Sequence, residues 1–569
     1  MGSPFPLPGA SGAVRGNVEG APVEKTYPGS NAYQLYATRI SLLWRPTENL
    51  DVTPSFFYES SKQNGISAYD SDPGTQAHYQ PFDIAEPLTD RIAVYSLNMR
   101  YHFEAFDLVS DTAQWFRTST QTEDASENFN NPQTGETYAA NNGLPNPGYY
   151  GPGGSGEAYG HEVDTSKQFS QELKLVSTGT GRLNWVAGGR FSHFQSVWNF
   201  YGTTPNPNAY LDLGTFDRAT TSNWFDATSP TTEDQYALFG DATYALTSQI
   251  KADIGLRWTD YDYRFSSCIS GWGSGLGAAS PSCSGLIKQS SNSATPRFSL
   301  SYDPTPNLMV YATIAKGYRP GGGNSTYPTT GAYWSSVFAP YKFTDGKWPA
   351  SYKPDSVWSY ELGEKASFFN RRLIINADVY YEDWSNIQLE AYPGDWALNI
   401  NGNNAKIYGT EVEALANLGA GISLDTTFGY TGDYVNSGPH WLIQPTDVLP
   451  EVARVVGDVV LRYSHGLGDD YRLTAQVENS YTGSRYSLAF PFGFSTNGEY
   501  IRMKGYDLTN IRIGVGSKRG WDASLFVNNL FNKRAQLESL YQEAVPDAAF
   551  NRIVTNQPMT IGADLTYRF

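Results

Sequence analysis

The fold class this sequence predicts is all-β: a transmembrane antiparallel β-barrel of about 19 strands. Three observations carry the prediction. Apolar and polar residues alternate with a period of two, as they must in a strand with one dry face and one wet face. The connections between alternating segments switch strictly between short and long. No run of 18 apolar residues occurs in the 569, which excludes a membrane-spanning helix. A barrel strand spans with about 9–11 residues and shows lipid only every second one.

Composition agrees with one large β structure. Aromatics make up 15% of the chain, led by 40 Tyr, with 55 Gly and only 17% charged residues. Mean hydropathy is −0.44. This is far from a helical enzyme and far from a disordered chain. The net charge of −17 argues against a nucleic-acid partner, which calls for basic stripes. It fits loops and a water-filled interior that carry carboxylates.

Taken in order, the strands are expected to start near 32, 50, 91, 107, 168, 183, 232, 249, 293, 307, 356, 372, 406, 422, 451, 471, 506, 521 and 559. Ile250, Ala252, Ile254, Leu256 and Trp258 interleave with Lys251, Asp253, Gly255, Arg257 and Thr259. The last strand does the same to the end of the chain. Met559, Ile561, Ala563, Leu565, Tyr567 and Phe569 form one face; Thr560, Asp564, Thr566 and Arg568 lie on the other. An apolar face ending in aromatics is the pattern of a barrel strand with an interfacial girdle.

A soluble sandwich would alternate too; the connections decide between the two. Short turns are expected at Arg45-Pro46-Thr47-Glu48, Thr178-Gly179-Thr180-Gly181, Asp303-Pro304-Thr305-Pro306, Gly419-Ala420-Gly421 and Gly466-Leu467-Gly468-Asp469. Between them lie long loops near 62–88, 125–166, 202–230, 268–291, 319–354, 390–405, 435–450, 485–505 and 536–557. Short periplasmic turns alternating with long extracellular loops are a barrel property. With the C-terminus on the periplasmic side, Cys268 and Cys283 share one extracellular loop. There an oxidising compartment favours a disulfide, worth roughly 3 kcal/mol by loop closure.

Several short motifs resemble TonB-dependent outer-membrane receptors of the siderophore-receptor kind. They are Val310–Gly322, Ser359-Tyr360-Glu361-Leu362-Gly363-Glu364-Lys365 and Tyr408-Gly409-Thr410-Glu411-Val412-Glu413. Near the end come Val527-Asn528-Asn529-Leu530-Phe531-Asn532-Lys533 and Tyr567-Arg568-Phe569. The resemblance runs from about residue 31 to 569. It implies a barrel of 22 strands around a plug, so residues 1–30 are expected to be a loop and linker remnant. Residues 31–569 would be an N-terminally incomplete barrel domain, with the plug and first strands outside this chain. Met1-Gly2-Ser3-Pro4-Phe5 has neither the basic start nor the apolar core of an export signal. The resemblance further implies active uptake of a scarce, bulky solute, a ferric siderophore first. Its partners would be outer-membrane lipid, the TonB complex acting through the plug, and the barrel-assembly machinery that reads Tyr567 and Phe569 as a terminal signal. A monomer is expected. Cobalamin, carbohydrate or aryl compounds remain alternative ligands, and a passive plugless pore or a surface attachment protein remain alternative functions.

Candidate chemistry is sparse, and no enzyme, cofactor or metal is expected. His78, His102, His161, His193, His440 and His465 are scattered without metal-ligand spacing. Glu411 and Glu413 share a face and should point into the lumen. Gly273-Ser274-Gly275-Leu276-Gly277 lacks the Lys-Ser/Thr that would make it a phosphate loop. The candidate ligand-binding residues lie in the loop after Tyr318: Arg319, Tyr327, Tyr333, Trp334 and Trp348, with Tyr341, Lys342 and Tyr352 beside them. Aromatic rings with a few cations stack on aryl groups, sugars or chelate faces and attract anionic ligands.

Overall fold

Alternation along the chain becomes one antiparallel sheet. The computed structural model describes residues 29–65, 67–69, 85–124, 159–203, 223–271, 281–325, 348–391, 398–402, 404–436, 448–449, 451–486, 502–540 and 552–568. The sheet has 22 segments. Two are the small hairpin Cys268–Ser270 with Ser282–Cys283, and Trp44–Thr47 continues the first strand, which leaves nineteen long staves.

The first ten staves are β1 (Tyr33–Ser41), β2 (Leu50–Gln63), β3 (Leu88–His102), β4 (Phe106–Asp124), β5 (Tyr159–Ser177), β6 (Leu183–Thr203), β7 (Asn223–Ala245), β8 (Ile250–Phe265), β9 (Ile287–Thr305) and β10 (Leu308–Arg319). The rest are β11 (Asp355–Phe368), β12 (Leu373–Ser385), β13 (Asn404–Gly419), β14 (Ile422–Asn436), β15 (Val455–Leu467), β16 (Tyr471–Thr482), β17 (Tyr506–Ser517), β18 (Trp521–Asn528) and β19 (Thr560–Tyr567). Each pairs antiparallel with the stave before and after it in sequence.

Short and long connections alternate without exception. The longest short one is 178–182, while the shortest long ones are 386–403 and 437–454. All long connections therefore gather on one rim. The sheet curls until its two ends meet there: Ala68 pairs with Val554 and Tyr69 with Ile553. The Thr555 amide also donates to the Ser67 carbonyl at 2.9 Å. Away from that rim the ends stay apart. Among the described residues β1 pairs only with β2, and β19 only with β18.

The two faces of the curled sheet differ in chemistry. On the outer face, Trp44, Tyr101, Phe103, Tyr244, Tyr302, Tyr463, Tyr471 and Tyr567 are exposed near the short-turn rim. A second ring of exposed aromatics runs through Tyr58, Tyr95, Phe116, Phe169, Tyr236, Trp258, Tyr360, Tyr381, Tyr408 and Tyr430. Between the rings lie Leu97, Met99, Leu173, Leu238, Ile254, Leu256, Leu300, Leu362, Val379, Leu461, Ile513, Leu525 and Leu565, also exposed. So much exposed apolar surface would be a liability in water. Two aromatic belts around an apolar band are what a bilayer requires of a barrel wall.

The inner face carries the charges, mostly as cross-strand pairs. Arg100 meets Asp107 at 2.9 Å, and Lys174 meets Glu172 at 2.8 Å and Asp111 at 3.0 Å. Arg297 reaches Asp253 at 2.7 Å and Asp241 at 2.8 Å, and Arg568 reaches Asp522 at 3.3 Å. Glu411 and Glu413 lie on this face, opposite Asp378 and Asn376. Glu413 accepts the Asn376 amide at 2.8 Å. Glycine lets tyrosine lie flat against the wall: a Cβ on Gly363 would be 2.6 Å from the Tyr311 ring, and one on Gly409 would be 2.5 Å from Tyr380. This is the physical content of the motifs around Gly363 and Gly409.

Staves differ from expectation mainly at their long-loop ends. β5, β7 and β9 begin at Tyr159, Asn223 and Ile287, several residues before the starts read from alternation. β7 has 23 residues and β6 has 21, well beyond the roughly 9–11 that span a bilayer. Above the apolar band both faces of a strand meet water, so the periodic signal fades while the hydrogen-bonded ladder continues.

Candidate functional site at the long-loop rim

The ends of the loop after β10 fold back onto the wall and form a knot with the β12–β13 connection. Glycine opens it: a Cβ on Gly322 or Gly323 would run into the ring of Tyr352 or Phe265. Gln289 from β9 holds the turn by donating to the Gly322 carbonyl at 3.0 Å and the Tyr352 carbonyl at 3.2 Å. Asn324, almost fully buried, donates to the carbonyls of Pro349 and Asn399 at 2.9 Å each and accepts the Asn399 amide at 2.9 Å.

A second clamp centres on Asp355, which is 3% exposed. It accepts Arg319 at 3.0 and 3.1 Å through Nε, pairs with the same guanidinium through Nη2, and accepts the Gln388 amide at 3.0 Å. The guanidinium also lies 4.8 Å from the Trp384 ring centre. Gln388 donates to the Pro320 and Lys353 carbonyls at 2.8 and 3.1 Å, and Asn401 ties Lys353 to Asn386. Beneath these amides is a small apolar core of Ile387, Leu389, Leu398, Ile400, Ala405, Ile407 and Leu449, with Trp348, Tyr380, Trp384 and Val452 packed against it.

Of the expected ligand-binding residues, Arg319 and Trp348 are described, and both hold this knot together. Arg319 is engaged by Asp355 and Trp384; Trp348 donates its indole N–H to the Ser325 carbonyl at 3.0 Å. Tyr327, Tyr333, Trp334, Tyr341 and Lys342 lie outside the described residues, as do Phe569, His78, His440 and Gly273–Gly277. Tyr567 stands on the outer face of β19, opposite Trp521. The Cys268 and Cys283 sulfurs are bonded, and the hairpin they join is seated on the wall by Ser267, whose Oγ accepts Ser229 at 2.9 Å.

Sequence reading passed over a lumen-facing wall above the upper aromatic belt. Tyr261, Tyr263 and Phe265 form a stacked ladder with ring centres 6.5 and 6.2 Å apart. Burial raises the phenol of Tyr261 and pushes that of Tyr263 up to about 12; burial also raises neighbouring Glu233. Farther round, Glu162 faces Asp164 and Glu123. Burial first, then those carboxylates, push it up to about 7. These groups could have been found only by knowing which inward positions lie above the lipid. The described histidines have other company: His102 meets Asp107 and Asp51, His161 bonds Thr122, His193 meets Asp234, and His465 stacks on Tyr463.

A wall that is dry outside and charged inside, with every long loop on one rim, defines a class of outer-membrane barrel. Residues 25–530 match the family model described as TonB dependent receptor-like, beta-barrel. The chain belongs to that family, whose barrels are outer-membrane proteins of Gram-negative bacteria. It is 22% identical over 386 residues to the catecholate siderophore receptor Fiu of Escherichia coli strain UTI89, which covers 66% of this chain and 45% of that protein. It is 28% identical over 184 residues to the ferrichrome outer membrane transporter/phage receptor of Escherichia coli K12, covering 32% of this chain and 23% of that one. The chain thus spans about half the length or less of the curated relatives it matches. Among solved structures, the ferric yersiniabactin uptake receptor FyuA from Yersinia pestis superposes with a TM-score of 0.71 at 16% identity, covering 94% of this chain and 71% of that one. These relatives are receptors and transporters, and at such identity the structural likeness speaks for the fold.

Proposed function

We propose that this chain forms the barrel of an outer-membrane receptor that takes up a ferric siderophore with energy from TonB. The observation that carries the reading is the pairing of a charged inner wall with an ordered loop knot on one rim. Ligand capture needs loops held in place by a rigid scaffold, and the amide clamps on Asn324, Asp355 and Gln388 provide that order. Family membership and relatives named for catecholate and ferrichrome transport favour a ferric chelate. In this reading Arg319 and Trp348 position the loop, and the ligand meets the rim surface and the Tyr261–Tyr263 ladder below it. Residues 31–569 act as the barrel domain of a monomer whose coupling to TonB passes through a plug. The edges of β1 and β19 need partners in a bilayer, because unpaired backbone groups are not tolerated in lipid.

The test is uptake of radiolabelled ferric tris-catecholate by cells lacking their own receptors for it. Accumulation that depends on this protein and disappears in a TonB-deficient host is the expected result. A steady conductance in planar bilayers, together with accumulation indifferent to TonB, would replace the receptor with a passive pore.

A further inference from the structure

At the short-turn rim, the opposite end of the barrel from the loop knot, the inner wall of β9–β12 holds a cavity of about 480 Å³. Two cations line it, Lys365 from β11 and Arg371 from the β11–β12 turn, together with Asn307, Asn376, Met309 and Ile374. Met309, Lys365 and Asn376 stand in one cross-strand row. Neither cation has an ion pair or hydrogen bond among the described residues; Lys365 lies 5.9 Å from the Tyr311 ring centre. The carboxylates beside them are already engaged. Asp303, also in the lining, pairs with Lys251 at 3.6 Å, and Glu413 accepts the Asn376 amide at 2.8 Å. Ser367 donates to the Asn307 side-chain carbonyl at 3.2 Å, which leaves the Asn307 amide hydrogens to face a ligand.

The turn that supplies Arg371 is strained. Phe369, Asn370 and Arg371 take φ of 53°, 55° and 63°, a left-handed backbone that is costly for any residue with a Cβ. Other short turns give this conformation to glycine: Gly419 and Gly421 flank Ala420, and Gly468 and Gly520 serve two more. Strain of this kind persists where surroundings impose it, and it gathers at binding sites.

We infer that this cavity is a second binding site for an anionic ferric chelate, occupied as the chelate leaves the lumen. The inference rests on the uptake reading proposed above and adds a stop far from the Tyr261–Tyr263 ladder. The volume lies within the roughly 300–1,000 Å³ usual for small-molecule sites. The lining suits a compact anion with aryl edges. Lys365 and Arg371 supply charge to the oxygens around the metal, and Asn307 supplies a neutral donor. Met309 and Ile374 offer adaptable apolar contact to flat rings. Charge also gives the path a direction. At the loop rim the inner wall carries Glu123, Glu162 and Asp164, whereas the short-turn end offers unpaired cations, so an anion is drawn from the first toward the second.

The test uses the full chain folded in dodecyl maltoside micelles and equilibrium dialysis against radiolabelled ferric tris-catecholate. Two classes of site per chain are expected. The double variant Lys365→Gln, Arg371→Gln should weaken one class by about tenfold or more, since two charge-assisted contacts are lost, and leave the other class unchanged. Tyr261→Ala should do the reverse. A heat-dependent gel shift like that of the unsubstituted protein establishes that each variant is folded. A single class of site in the unsubstituted protein overturns the inference, as do two classes that both survive in the folded double variant. Displacement of the affected class by inorganic pyrophosphate at matching concentration also overturns it, because the cavity would then be a general anion site. Absence of binding in both classes would instead overturn the ferric-chelate reading beneath it.

Discussion

Wall and rim hold themselves together by different chemistry. In the wall, long backbone ladders are flanked by an apolar outer face and by inward ion pairs such as Arg297 with Asp241 and Asp253. At the rim the ladders end, and uncharged amides take over: Asn324, Gln388 and Asn401 each bind backbone groups far away in sequence. The C-terminal side repeats the device, where buried Asn529 bridges Lys533 and the Gln557 carbonyl. The difference teaches that a barrel can fix its loops with a few side-chain amides and buried carboxylates such as Asp355 and Asp433, leaving the wall to solve the membrane problem alone.

The largest break in that division should come from charging the lipid face. Leu256→Arg, in the middle of the apolar band, should cost about 2–4 kcal/mol of whole-barrel stability. Urea-dependent refolding into lipid would register it, and Asp253→Asn on the inner side should do far less. Second, removing the rim staple by Cys268→Ser should cost about 3 kcal/mol locally. Faster hydrogen exchange confined to residues 266–286 is the expected signature; a uniform change across the wall would contradict the separation. Third, Asp355→Ala should loosen the knot by about 2 kcal/mol, since charge-assisted hydrogen bonds are lost while Arg319 can still reach water. New proteolytic cleavage in 319–325 and 386–402 with an unchanged heat-dependent gel shift would show it.

The smallest effect is a pH dependence above the membrane. The folded chain holds a proton on Glu162 up to about 7, against 4.5 for the free side chain. Its contribution is therefore fullest below pH 4.5, declines as pH rises toward 7 and is flat beyond. Partial access to water reduces its size. Glu162→Gln should remove that slope from hydrogen exchange in residues 159–166, and an identical slope in the variant would assign it to another group.

Most of the wall was legible because a two-residue repeat reports directly on which side meets lipid. The staves from Tyr33 to Tyr567 stand in the order alternation put them, apart from the earlier long-loop starts of β5, β7 and β9, and the lumen direction of Glu411 and Glu413 followed from the same rule. The site was legible only in part. Arg319 and Trp348 were singled out for exposed ligand chemistry, yet their partners Asp355, Trp384 and Ser325 lie 23 to 65 residues away and carry no local signature. Asn324, Gln388 and Asn401 resemble ordinary loop filler until their carbonyl partners are known.

By itself, then, the sequence determined the architecture: strand count, alternation of faces, the rim that receives the loops and the family to which the motifs point. Those properties come from short-range periodicity, which survives without knowledge of any distant contact. Only the tertiary structure decided what closes the rim and which charges are paired. Such properties depend on which strands become neighbours and how far each rises above the lipid, and both are set by the curvature of the whole sheet.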